Sequence, residues 1–194
     1  MEKLKLYYPL DIWHVTQGFG ENQLPLYKEL GLKGHNGQDA SCADGAVVRA
    51  AHDGEVTYAG EDGAGGVTVV VRTLEKFEYL NKSVYFKTIY AHLKKGSFKV
   101  KPGQKVKTGE VLAQADNTGA STGTHLHLGC KPVYKGEKDW QWYNLEPANG
   151  YNGALNPAPY FTGIYAKDRL KLNLLTAMVE LYKKIISELQ KPKP

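Results

Sequence analysis

From Ala46 to Cys130 the sequence is written in strands and turns, and no segment of helical period interrupts it. "AVVRAAHDGEVTYAG" predicts two strands folded about Asp53-Gly54, a dipeptide that favours a tight hairpin. "GGVTVVVRT" predicts a β-branched strand between Gly66 and Thr73. "KSVYFKTIYAHL" predicts another strand. Alternation puts Tyr85, Lys87, Ile89 and Ala91 on one of its faces and Phe86, Thr88, Tyr90 and His92 on the other. "KVKPGQKVKTGEVLAQA" carries turns at Pro102-Gly103 and Thr108-Gly109, and "HLHLGC" closes the run as a last strand. The reading is an all-β core, mostly antiparallel.

The flanks differ. Residues 1 to about 34 read as irregular chain with short strands and a helical turn near Tyr27 to Leu30. After Cys130 the text "YKGEKDWQWYNLEPANGYNGALNPAPYF" reads as a long ordered loop, whose Trp140, Trp142 and Tyr143 cover the sheet rather than wall a substrate. From about Asp168 the period becomes helical. Leu174, Met178, Leu181, Ile185 and Leu189, joined by Leu175, Tyr182 and Ile186, form a wide apolar stripe, with Glu180, Lys183, Lys184 and Glu188 largely off it. The helix is expected to stop at "KPKP". Its stripe lacks Trp and Phe and has few basic residues beside it, so it is expected to dock on the domain or self-associate rather than lie on a membrane.

With 194 residues the chain suits one domain with a terminal extension. We expect a domain over 1–165, with its closing loop over 131–165, and a C-terminal helix and tail over 166–194. The net charge of +5 favours anionic partners, but there is no dense Lys/Arg run or helix-turn-helix pattern, so nucleic acid is not expected. No stretch approaches the roughly 20 apolar residues of a membrane span. "MEKLKLYYPLDIWHV" does not read as a signal peptide, so the expectation is a mature exported form or a phage-encoded lysin. Two cysteines, Cys42 and Cys130, make neither a disulfide framework nor a zinc finger.

The chemistry sits in the histidines, of which there are only six. "GTHLHLG" places His125 and His127 on one face of a strand and Leu126 and Leu128 on the other. "GHNGQD" places His35 four residues before Asp39, a spacing that shares a face in a strand or a helix. His35, Asp39 and one of His125 and His127 would supply two imidazoles and a carboxylate, leaving a fourth tetrahedral position open, as in a catalytic zinc site. The other His of the pair, and His92 in "YAHL", are left to move protons or stabilise an oxyanion. His14 and His52 read as surface or structural residues. Cys42 and Cys130, each three residues past a candidate ligand, point away from the metal face.

"GHNGQD", "YAHL" and "STGTHLH", in that order, together with "ADGAVVRAAHDGEVTYAG" and "VKPGQKVKTGEVLAQADNTG", resemble the M23 family of lysostaphin-like, or LytM-type, peptidoglycan endopeptidases. The likeness covers residues 15–130, and "NPAPYF" is similar to the family's closing segment. It implies an antiparallel sheet of the duplicated-hybrid-motif type with a groove walled by loops. It implies that His35, Asp39 and His127 bind one zinc ion per chain and that His92 and His125 act in catalysis. It also implies hydrolysis of peptidoglycan peptides in the cell wall or periplasm. The text before His35 lacks the Arg-rich stretch of many members, the loop after Cys130 is longer, and no wall-binding module is evident. The rival readings are a catalytically silent LytM-like regulator and a lipoyl- or phosphocarrier-like module. Asp39 speaks against the carrier, and the complete set of five residues against the regulator.

Overall fold

The computed structural model describes residues 2–137 and 141–189, with no side chains described at 164–172 and 188–189. In chain order the strands are β1 (Leu6–Tyr8), β2 (His14–Gln17), β3 (Gln38–Ser41), β4 (Val47–Arg49), β5 (Gly54–Asp62), β6 (Gly66–Thr73), β7 (Phe77–Tyr79), β8 (Lys82–Leu93), β9 (Lys105–Val106), β10 (Val111–Gln114), β11 (His125–Lys135), β12 (Trp142–Asn144) and β13 (Phe161–Ile164). A short helix α1 (Leu26–Glu29) lies between β2 and β3, and α2 (Tyr165–Leu189) is the last described element. The main sheet runs β2-β3-β11-β8-β6-β5-β9, with β12 beside β11 and β7 beside β8. Every pairing within it is antiparallel. A small β4/β10 sheet and a parallel β1/β13 pair complete the domain.

Alternation decides which side of the sheet is packed. On β11 Leu126, Leu128 and Cys130 turn inward, and on β8 Phe86 and Tyr90 do the same; all five are fully buried. They meet Val69 and Val71 of β6 and, from the small sheet, Val48 and Leu112 in one hydrophobic core. Burial of this kind is worth about 25 cal/mol per Å² of apolar surface and is the main favourable contribution to folding. The opposite face of β8 and β11 stays open and becomes the floor of a groove.

Three expectations change at this level. Asp53-Gly54 does not turn a hairpin between its flanking strands, because β4 pairs with β10 and β5 with β6 and β9. The chain between them is held under the sheet instead. Ala51 N donates to Tyr90 Oη at 2.8 Å, and Tyr90 Oη lies 3.1 Å from Thr88 Oγ1. His52 Nε2 lies 2.9 Å from Thr88 Oγ1, while the Asp53 carboxylate accepts from the Thr108 amide and hydroxyl, each at 2.8 Å. The segment after Cys130 is not all loop: β11 continues to Lys135 and β12 pairs back onto it. Trp142 there packs edge-on against Tyr85 and under the Arg72 guanidinium, so it covers the sheet as expected; Trp140 lies outside the described residues. Finally, the described side chains of α2 show no docking on the domain. Every described side chain from 173 to 187 is exposed, Leu174 by 63% and Leu181 by 60%. No helix among the described residues is long and apolar enough to cross a membrane.

Candidate metal centre and its groove

The strand register brings the candidate residues together. Pairing of β3 with β11 sets Asp39 opposite His127 and Ser41 opposite His125. His35 is not on a strand; it lies in the turn before β3, where its amide donates to Glu21 O at 2.7 Å and its carbonyl accepts from Gly20 N at 2.8 Å. Its Nδ1 donates to Gly18 O at 3.1 Å, which leaves Nε2 as the lone-pair nitrogen facing inward. The turn must pass close to the His127 ring. A Cβ on Gly37 would fall 2.5 Å from His127 Cε1, so only glycine fits there.

Three donor atoms converge at this point. His35 Nε2 lies 2.9 Å from His127 Nδ1 and 3.1 Å from Asp39 Oδ1, and His127 Nδ1 lies 2.9 Å from Asp39 Oδ1. A tetrahedral zinc ion with ligands at about 2.0–2.1 Å spaces neighbouring donors roughly 3.3 Å apart. The triangle fits that ion, and two imidazoles with one carboxylate is a donor set that leaves a position open. Burial alone would raise the Asp39 carboxyl, but the adjoining His127 and His35 imidazoles hold it well below the usual carboxylate range. Burial pushes the His127 imidazole down, against the pull of Asp39. Both shifts favour the deprotonated forms that a metal needs.

His92 and His125 stand beside this triangle, their rings 4.6 Å apart and that of His92 6.0 Å from His127. Alternation puts His92 on the core face with Tyr90. The structure turns it to the groove, because its backbone takes a positive φ of 60° at the end of β8. Histidine tolerates this left-handed conformation better than most residues, but it carries strain that something must offset. The holding group is Thr118. Its carbonyl accepts from His92 Nδ1 at 2.7 Å, and its hydroxyl donates to Leu93 O at 2.7 Å and accepts from Val67 N at 3.0 Å. Burial pushes the His92 imidazole down to about 4, with Thr118 acting in the opposite direction. His125 Nδ1 donates to Gly123 O at 2.8 Å and lies 3.2 Å from Ser121 Oγ, and its Nε2 sits 3.5 Å from Asp39 Oδ2.

All five candidates line one groove of about 1220 Å³. Leu24, Tyr27, residues 119–122, Asn144 and Asn152 line it as well. Asn117 and Thr118 read in the sequence as turn residues or as groove lining, and nothing local marks Thr118 as the clamp on His92. Tyr27 also escapes a sequence reading. Its hydroxyl donates to Gln17 Oε1 at 2.7 Å, its ring is 5.8 Å from that of His35, and burial pushes its hydroxyl up to about 12. His14 is exposed and His52 is buried in hydrogen bonds, as expected, while Cys42 and Cys130, whose pairing the sequence leaves open, are unpaired, Cys130 in the core.

Comparison with known proteins places this arrangement. The profile described as Peptidase family M23 matches residues 33–139. The DD-carboxypeptidase/endopeptidase Mpg of Neisseria meningitidis serogroup B is 31% identical over 173 residues, which cover 87% of this chain and 34% of that protein. Peptidoglycan DD-endopeptidase ShyA of Vibrio cholerae is 34% identical over 122 residues, 62% of this chain and 25% of that protein. This chain thus spans about a third or less of the length of these curated relatives. Among solved structures, the lysostaphin catalytic domain from Staphylococcus simulans shares the fold, with a TM-score of 0.55 at 24% identity over 76% of this chain and 91% of that one. A zinc-containing peptidase from Vibrio cholerae has a TM-score of 0.53 at 30% identity, over 68% of this chain and 37% of that one.

Proposed function

We infer the reaction from one premise: this chain belongs to peptidase family M23. We propose that it is a zinc-dependent endopeptidase that hydrolyses peptide bonds of peptidoglycan, in the stem peptide or the cross-bridge. The observation that carries the reading is the convergence of His35 Nε2, Asp39 Oδ1 and His127 Nδ1 on one point, with His92 and His125 beside it in an open groove. Likeness to a peptidoglycan DD-endopeptidase supports the substrate class. The place of action is then the cell wall or periplasm, and a chain of net charge +5 is drawn to an anionic wall.

In this reading His35, Asp39 and His127 hold one zinc ion per chain. Bound there, zinc supplies Lewis acidity, lowering the pKa of a coordinated water toward ~7 and polarising a peptide carbonyl. The residues around it handle protons. His92 is neutral at pH 7 and spends its Nδ1 proton on Thr118 O, so Nε2 offers a lone pair. His125 spends its Nδ1 proton on Gly123 O, and its Nε2 likewise faces the site. One such group takes the proton of the attacking water and the pair returns it to the leaving amine, which departs neutral. Burial of the triangle and the lining of the groove hold the peptide and thin the water around it.

The test is digestion of purified peptidoglycan from several bacteria, with and without a zinc chelator, read by mass spectrometry. New fragments with a freed peptide amine, lost on chelation and restored by zinc, are expected. Unchanged peptidoglycan from every source, with zinc bound at one per chain, would overturn the proposal.

A further inference from the structure

The groove floor continues past the metal centre along β8 and β11, and its register is informative. Ala91 stands opposite His127, Ile89 opposite Gly129, and Lys87 opposite Lys131. These pairs share the open face, and Lys87 and Lys131 both line the groove. Like charges placed directly opposite on neighbouring strands destabilise a sheet, so a lysine pair here costs stability unless something answers it. Nothing among the described residues does: neither ammonium has a carboxylate within ion-pair distance. The next strand adds a third cation, since Arg72 stands opposite Lys87. Arg72, however, is committed. Its Nη2 donates to Glu55 Oε2 at 2.8 Å and its guanidinium lies 4.1 Å over the Trp142 ring. Asp62, at the end of β5, is the acidic group on this stretch of the groove, and it acts on Lys131 only at a distance. Partial burial further disfavours both ammonium charges, with Arg72 adding to the effect on Lys87 and Lys87 to that on Lys131.

We propose that Lys87 and Lys131 form a subsite that binds a free carboxylate of the substrate peptide. The proposal rests on the reading of this groove as a peptidase site for peptidoglycan peptides. A carboxylate set between the two ammonium groups accepts a charge-assisted hydrogen bond from each and removes their mutual repulsion. Lys131 is four residues along β11 from His127, about 13 Å at the rise of a strand, and an extended peptide has nearly the same rise. The recognised carboxylate therefore lies within about four residue lengths of the scissile bond. Ala91 and Gly129, both small and buried, keep the floor low between the two points. The subsite makes the enzyme selective for peptides whose acidic groups are free over those in which they are amidated.

The test uses the full chain loaded with zinc and two synthetic cross-linked stem-peptide dimers. They are identical except that the free carboxylates of one are carboxamides in the other. We expect kcat/KM for the acid to exceed that for the amide by about tenfold or more, the worth of a hydrogen bond to a charged group. Lys87→Met with Lys131→Met should bring that ratio close to one by losing rate on the acid, and Lys87→Arg with Lys131→Arg should keep most of the preference. Equal rates on both dimers in the unaltered protein, or a ratio unmoved by the methionine pair, would overturn the subsite and leave the peptidase standing. Cleavage of neither dimer, with zinc bound, would overturn the peptidase reading and the subsite with it. The unaltered protein carries the first comparison alone, so a variant that fails to fold does not remove the test.

Discussion

The sheet that floors the groove and the C-terminal helix α2 both declare an apolar face by their period, yet only one of them buries it. On β11 Leu126 and Leu128 are 0% exposed, while on α2 Leu174 and Leu181 are 63% and 60% exposed. The residue type is the same and the pattern is equally regular. What differs is cover: the small β4/β10 sheet packs into one core with the inner face of β8 and β11, whereas no described side chain of α2 between 173 and 187 is buried. A periodic pattern states which face wants cover, and a partner element decides whether it gets it. We propose on this ground that the functional unit is the domain over 1–165 and that residues 166–194 are appended to it.

Substitutions in the two regions should separate widely. The largest effect belongs to the candidate metal centre: Asp39→Asn should lower kcat/KM by about 10³-fold or more, because a metal's charge stabilisation is worth several kcal/mol and each 1.36 kcal/mol is tenfold. Metal analysis beside the kinetics checks it. Next comes the core, where Phe86→Ala should cost about 3–5 kcal/mol in denaturant unfolding, since the ring is fully buried.

His52 gives a smaller, pH-dependent effect. Burial holds its imidazole below the ordinary value of 6.5, so the folded state resists a proton that the unfolded chain accepts. Its contribution is complete above about pH 6.5 and is lost as pH falls toward the depressed folded value. In unfolding curves taken across pH, His52→Gln should flatten part of that acid loss. The smallest effect belongs to the helix: Leu181→Ala should stay within about 0.5 kcal/mol, as exposed substitutions do. Removal of residues 173–194 should leave both unfolding of the domain and kcat/KM nearly unchanged. A loss of several kcal/mol in either helix variant would break the comparison.

Much of the site was legible because its signals are local. His125 and His127 share a face through the period of a strand, whereas the offset from His35 to Asp39 points to the right pair for another reason, since a turn before β3 and no shared strand or helix face brings His35 to Asp39. His92 was legible as a residue but not as a position, since alternation alone turns it toward the core with Tyr90. Its positive φ and the Thr118 carbonyl that secures it arise from chain 26 residues away, which no local pattern encodes. The Asp53-Gly54 turn misled for a related reason. The dipeptide suits a hairpin, but long-range bonds from Ala51 and His52 to β8, and from Asp53 to the Thr108 turn, hold that segment elsewhere. The continuation of β11 past Cys130 also needed a partner, β12, that the aromatic-rich text did not announce.

The proposed function divides the labour between two histidines on one strand, and a side-by-side comparison of the two tests it. His125→Ala and His127→Ala should be purified side by side, their zinc content measured per chain, and their turnover of peptidoglycan followed. His127→Ala is expected to lose both zinc and activity, while His125→Ala keeps zinc and loses activity alone. Zinc lost from His125→Ala and kept by His127→Ala would contradict this division, as would full activity in either.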